Sequence, residues 1–221
     1  MSYKLGQSIK LDQVTELGIE PAVILDVGAH SGQFYGWAKF EWPNSVIWMV
    51  ESNEVHESTL KDLTAGKNDE YLIAALGDKE REVTFYTRKD KPHTEGNSYY
   101  KEANYWDIPE LVLENKRMLQ RLDDLFTEDT EFELIKIDTQ GSELDILKGG
   151  VELVNKAMAV ILEVSYVDYN LEAPQSEEVI EYMIEVGFDK YIEIGEHYSN
   201  EPQWKDIIVQ KDLCFYRSEI K

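Results

Sequence analysis

The sequence predicts an α/β protein: a mostly parallel sheet with helices wound over both faces. Apolar runs of strand length recur with little polar alternation, as "AVILDV", "SVIWMV", "YLIAAL", "FELIKI" and "AMAVILEV". Strands buried on both faces have that composition. Helical patterns separate the runs, at residues 32–42, 53–65, 142–156 and 176–186. The first strand also stops on Asp26 and passes through Gly28 and Gly32 into a helix, the turn that opens many nucleotide-binding sheets.

Each element has its own justification. Residues 22–27 form the first strand and 32–42 its crossover helix. Strand 45–50 ends just before Glu51, helix 53–65 follows, and strand 71–76 closes on Ala75 and Leu76. "EVTFYT" at 82–87 is an extra strand after a turn, and residues 88–107 are polar, aromatic and aperiodic. A loop of that length inside a compact domain is commonly functional, so it is read as an inserted lid over the acceptor. Strand 132–137, helix 142–156 and strand 157–164 resume the alternation. In helix 176–186, Ser176 is placed as the cap, Val179, Ile180, Met183 and Ile184 share one face, and Gly187 closes the end. "FDKYIEI" and "DLCFYRS" flank a polar stretch and read as a hairpin closing the sheet. No repeat or linker interrupts the chain, so residues 1–221 are expected to be one domain.

Composition narrows the partners. The net charge is −22, with 44 acidic residues against 22 basic ones. That field repels phosphate backbones and anionic lipid, which argues against nucleic acid and membrane surfaces. Cys214 is the single cysteine and lies in an apolar run, as expected of a core thiol in a reducing compartment. The first residues lack a hydrophobic signal core and no apolar stretch reaches bilayer length, so a cytoplasmic protein without a membrane span is expected.

The glycine pattern then selects a ligand. G-x-G-x-x-G is not met, since Asp26 and Ser31 stand where two of its three glycines would, and no phosphate-cradling G-x-x-x-x-G-K follows. The chain instead reads D-x-G-x-x-x-G. Asp26 disfavours a pyrophosphate and attracts a cationic group, while the glycines allow close backbone approach. Glu51, at the end of the next strand, can accept hydrogen bonds from both hydroxyls of a ribose. A ligand with an adenosine ribose, an amino-acid end and no phosphate is S-adenosylmethionine.

"VILDVGAHSGQF", "VESNE", "AALGDKEREVTFY", "RLDDLF", "LIKIDTQGSELDILKGG" and "VILEVSY" occur in the order seen in FkbM-family methyltransferases, which this chain resembles from about residue 14 to 217. The most specific segment, "KIDTQGSELDILKG", is similar to the family's Lys-x-Asp-x-(Glu/Gln)-Gly-x-Glu pattern. The resemblance implies a Rossmann-like class I methyltransferase sheet of seven strands with the last antiparallel, and O-methylation of sugars, glycans or small hydroxylated metabolites. Ser52 departs from the proline that the family often has there. Carried over, Asp26, Gly28, Ala29 and Gly32 line the methionine and ribose side, while His30, inside the glycine loop, is read as a cofactor-shell or capping residue rather than a base. Glu51 takes the ribose, Ser52 and Asn53 sit beside the adenine, and Ala75 and Leu76 lie near the purine.

Asp138 and Glu163 end two central strands. They are the candidates for orienting or deprotonating the acceptor, with a cofactor contact open for Asp138 and a structural role open for both. The acceptor candidates lie in the loop: His93, Asn97, Ser98, Tyr99, Tyr100 and Trp106, with Tyr105 beside them; packing the lid down is the alternative for the aromatics, and a solvated position the alternative for His93. His56 is expected on a helix surface, and His197 is given no role. A metal set of Asp138, Glu163 and Asp168 is conceivable. It is set aside, because carboxylates at strand ends are common in this fold without metal. A non-catalytic S-adenosylmethionine-binding protein is the alternative reading.

Overall fold

The computed structural model describes residues 9–90, 92–93, 97–102, 109–168, 170–199 and 204–218. Helix α1 (Leu11–Glu16) precedes β1 (Val23–Val27), α2 (Gln33–Glu41), β2 (Val46–Glu51), α3 (Glu57–Thr64) and β3 (Glu70–Ile73). Then come β4 (Ala75–Leu76), β5 (Arg81–Arg88), β6 (Lys101–Glu102), β7 (Val112–Gln120) and β8 (Leu134–Ile137). Helices α4 (Glu143–Gly149) and α5 (Val151–Lys156) lead to β9 (Ala159–Ser165) and β10 (Asn170–Leu171). Helix α6 (Ser176–Glu185) precedes the closing pair β11 (Lys190–Tyr198) and β12 (Ile208–Tyr216).

Seven strands form the main sheet in the order β11-β12-β9-β8-β1-β2-β3. β1, β2, β3, β8 and β9 pair in parallel, and β12 runs antiparallel to both β9 and β11. This is the expected mostly parallel seven-stranded sheet with a C-terminal antiparallel hairpin. Among the described residues, no helix is long and apolar enough to cross a membrane.

Alternation along the strands builds two cores. Leu25, Ile135, Val160, Leu162 and Leu213 pack on one face, and Ile24, Leu134, Ile161 and Cys214 on the other. Successive residues of a strand point to opposite faces. Asp26, Lys136, Glu163 and Asp212 are each two positions from a residue of the second core, so all four charges share that face. They lie on β1, β8, β9 and β12, four adjacent strands.

The structure departs from the sequence-based elements in several places. The apolar run 71–76 breaks at Ala74: β3 stays in the main sheet, while Ala75 and Leu76 pair with β7 in a second sheet of order β4-β7-β5. Strand β7 was not expected, because its sequence VLENKRMLQ alternates among mostly polar residues with little buried. Helix 142–156 is two helices. A side chain at Gly149 would overlap the Gly77 carbonyl, and one at Gly150 would press on Leu122, so the chain bends where the small sheet packs against it. Gln175, not Ser176, caps α6, in a capping box with Glu178. Gly187 does close that helix: its N–H donates to Ile184 and that of Phe188 donates to Met183, a Schellman arrangement.

Candidate active site

A cavity of ≈ 940 Å³ opens over the carboxyl ends of the central strands, with walls from Gly28, Glu51, Asp138, Glu163 and the hairpin residues His197 and Asp212. The glycine turn is fixed first. Gly28 and Ala29 both donate N–H to the Val50 carbonyl, at 2.9 and 3.1 Å. Gly28 has φ +79°, and a Cβ there would overlap the Asp138 carbonyl oxygen. β1 can therefore pass this close to the end of β8 only with glycine. Gly32 serves the helix instead: it is the N-cap of α2, where a Cβ would collide with Leu63.

Glu51 is buried at the end of β2 and lines the cavity. Its Oε2 accepts from the His30 N–H at 2.7 Å. Its Oε1 accepts from the Asn53 N–H at 2.7 Å and the Ser52 hydroxyl at 3.3 Å. One carboxylate thus clasps the glycine turn and the β2 loop together.

The row of charges lies beneath and beside this turn. Asp26 is fully buried and does not reach the cavity wall. Its oxygens accept no hydrogen bond among the described residues, and the nearest cation is Lys136 Nζ at 3.4 Å. Burial pushes Asp26 up to about 6 against the pull of Lys136. Lys136 Nζ also pairs with Asp138 Oδ2 at 3.2 Å. Burial disfavours the Lys136 ammonium, but Asp138 and Asp26 more than reverse this and hold its pKa above the usual lysine range. Burial likewise works against the Asp138 carboxylate, and Lys136 overrides it, so its pKa is lowered. Glu163 is pushed well upward by burial and by Asp138 and Asp212. Its Oε2 accepts from Gln140 at 3.1 Å and Gln210 at 2.7 Å.

The turn after β8 is held by Glu143. Its Oε1 accepts from the Thr139 N–H at 2.7 Å and the Gly141 N–H at 3.2 Å, and burial pushes its pKa up to about 7. That turn carries Gln140 to Glu163.

Of the cofactor candidates, Gly28, Ala29, His30, Glu51, Ser52, Ala75, Leu76 and Asp138 are brought to the cavity wall. Asp26, Gly32 and Asn53 are not. Asn53 instead caps the turn before α3, accepting from the Val55 N–H, and donates to the Pro92 carbonyl at 2.9 Å. Asp138 and Glu163 both face the cavity.

In the loop, Asn97 and Tyr99 reach the wall. Ser98 is buried in a bridge to Tyr86, and His93 is exposed, its carbonyl accepting from His30 Nε2 at 2.9 Å. The Tyr99 and Tyr100 hydroxyls both donate to Asp145 at 2.9 Å. Tyr105 and Trp106 lie outside the described residues.

Sequence reasoning gave Lys136, Gln140, His197 and Asp212 no role. A lysine inside the apolar strand LIKI was the available signal, because a charge in a strand buried on both faces has to find a partner.

His56 corrects a second expectation. It is buried rather than on a surface, its ring tilted against His30 at a centroid distance of 4.0 Å and edge-on to His93 at 5.6 Å. A short 3-10 turn, Glu54–His56, precedes α3 and turns it inward. Burial, then His30 and His93, push its pKa from 6.5 down to about 4. The unfolded chain therefore takes up a proton that the folded chain refuses. The stability is present above 6.5 and is lost as pH falls toward 4. Urea midpoints at pH 7 and pH 5 should reveal up to about 2 kcal/mol of loss from this group. His56→Met should remove that part of the difference, and an identical pH dependence in the variant would refute the assignment.

A family model described as the methyltransferase FkbM domain matches residues 26–190. The fold is similar to the N-terminal domain of EvdMO1 with SAH bound, at TM-score 0.51 and 11% identity, covering 96% of this chain and 82% of that one. The same domain in the presence of SAH and D-fucose gives TM-score 0.50 and 10% identity, with 95% and 83% covered. Precorrin-6y C5,15-methyltransferase from Geobacter metallireducens GS-15 gives TM-score 0.47 and 12% identity, with 98% and 93% covered. No curated protein sequence matches.

Proposed function

The chain belongs to the FkbM methyltransferase family, which uses S-adenosylmethionine, and from that premise we propose that it transfers the methyl group to a hydroxyl of a sugar, glycan or small metabolite. The observation that carries this reading is the continuity of the cavity. One space runs from Gly28 and Glu51 to Asp138 and Glu163, so cofactor and acceptor can lie side by side.

The residues fit the cofactor. Glu51 accepts three hydrogen bonds on two oxygens that offer about four lone-pair sites, and a ribose can add to them or replace one. The neighbouring charges are mainly carboxylates, which suits a cationic nucleoside and disfavours a pyrophosphate. When bound, S-adenosylmethionine supplies a sulfonium methyl group, whose transfer to oxygen leaves a neutral thioether and requires the acceptor hydroxyl to give up its proton. Asp138 and Glu163 both face the cavity, where burial and the Asp138 charge keep Glu163 raised while Lys136 keeps Asp138 lowered. Asp138 is therefore the proton acceptor, and Lys136 steadies its charge. A positioned base typically contributes ~10²–10⁴-fold. Asn97 and Tyr99 form the acceptor side, with residues 88–107 as a lid within a single domain.

S-adenosylhomocysteine at about 100 times its Kd should stabilise the protein by ~2.7 kcal/mol. For a chain of this size that is roughly 5–11 °C in Tm. A shift with NAD and none with S-adenosylhomocysteine would overturn the cofactor assignment. Isotopic methyl transfer to a panel of sugars and phenols, read at oxygen by mass spectrometry, tests the acceptor class. Product methylated only at nitrogen or carbon would refute the hydroxyl reading.

A further inference from the structure

We propose that Glu163, His197 and Asp212 bind a divalent transition-metal cation on the wall of the same cavity. Glu163 and Asp212 are direct partners in the antiparallel pairing of β9 and β12, and both are more than nine-tenths buried. When both are ionised, like charges placed directly opposite on one sheet face repel each other and burial strengthens the repulsion, so a bound cation would relieve it. Lys136 makes its ion pairs with Asp26 and Asp138 rather than with either of these two.

What does approach is His197, from the next strand. Its Nε2 is 2.7 Å from Asp212 Oδ2 and 3.6 Å from Glu163 Oε1, and the three ligand atoms all lie within 4.8 Å of one another. Two donors each about 2.1 Å from one ion, at tetrahedral or octahedral angles, are about 3.0–3.4 Å apart. The observed separations bracket that edge.

The surroundings aim these atoms. Gln140 and Gln210 both donate to Glu163 Oε2, leaving Oε1 turned to the imidazole. Supporting hydrogen bonds of this kind orient ligands around metals. A side chain at Gly195 would overlap the Asp212 carboxylate, and the ladder shifts register beside that glycine, which opens the room the carboxylate occupies. An imidazole with two carboxylates suits Mn²⁺, Fe²⁺, Co²⁺ or Zn²⁺ better than Cu⁺ or Ca²⁺. The positions left open on such an ion face the cavity and can hold the acceptor's oxygens. That role rests on the hydroxyl-methylation reading above, whereas the ligation rests on the three side chains alone.

Full-length protein stripped with EDTA and titrated with Mn²⁺ in 0.15 M-range salt, read by electron paramagnetic resonance and calorimetry, tests this. One saturable Mn²⁺ per chain is expected, weakened by roughly 10–100-fold or more in His197→Ala and in the isosteric Asp212→Asn. Folding of both variants is checked by circular dichroism. Failure to bind, or binding that persists undiminished in both folded variants, overturns the site; the latter would be the diffuse attraction of an acidic surface. S-adenosylhomocysteine binding is measured on the same samples. Loss of that binding in the wild type would sink the cofactor reading without touching the metal result, and the reverse also holds.

Discussion

Glu51→Ala is expected to weaken S-adenosylhomocysteine binding by roughly 10–150-fold for each ribose hydrogen bond lost, since hydrogen bonds to a charged group are worth ~1.5–3 kcal/mol. The structure adds a second effect. The alanine also strips the acceptor from the His30 and Asn53 N–H groups, so two loops that define the adenosine side lose their common anchor. The variant should fold but melt lower, and part of the affinity loss comes from that lost preorganisation. Glu51→Gln separates the two, because its amide oxygen can keep one of the backbone donors. Calorimetry that shows unchanged affinity in folded Glu51→Ala would place the ribose elsewhere.

Gly28→Ala should be the most damaging small substitution in the chain. Two costs combine: a positive φ, about 1–2 kcal/mol for a residue with Cβ, and an overlap with the backbone carbonyl of Asp138, which cannot swing aside. Gly18 supplies the comparison. It has φ +84° with nothing within 4 Å of its would-be Cβ, so Gly18→Ala carries the first cost without the second. Gly28→Ala should lose about 3 kcal/mol or more beyond Gly18→Ala. That corresponds to at least roughly 6 °C in Tm for a chain of this size. Equal destabilisation of the two variants in thermal and urea unfolding would mean that β1 and β8 do not approach as closely as described.

The parallel core was legible because burial on both faces leaves a signature in each strand separately, and runs such as VILDV and AVILEVS carry it. The small sheet was less so. Strand β7 is largely polar and takes its identity from pairing with β5 over Val112–Leu119. The run YLIAAL conceals a change of sheet that no local pattern marks. At the site, the glycine turn and Glu51 could be read because their roles follow from adjacent residues. His197 and Asp212 could not, since they meet Glu163 only once β12 has inserted between β9 and β11. Charges set into apolar strands were nonetheless visible at Asp26, Lys136 and Glu163. Their partners, not their presence, required the fold.

Cys214 has a practical consequence. The one thiol of the chain is buried on β12 with its pKa pushed up to about 12, so at neutral pH only on the order of one part in 10⁵ is thiolate. Alkylating reagents will pass it by while the protein is folded. A cysteine introduced at the surface then becomes the only reactive one, without any prior substitution of the core. Labels on a pair of such cysteines, at position 93 beside the glycine turn and at position 198 on the hairpin, would report the distance between those two parts of the chain while ligands enter.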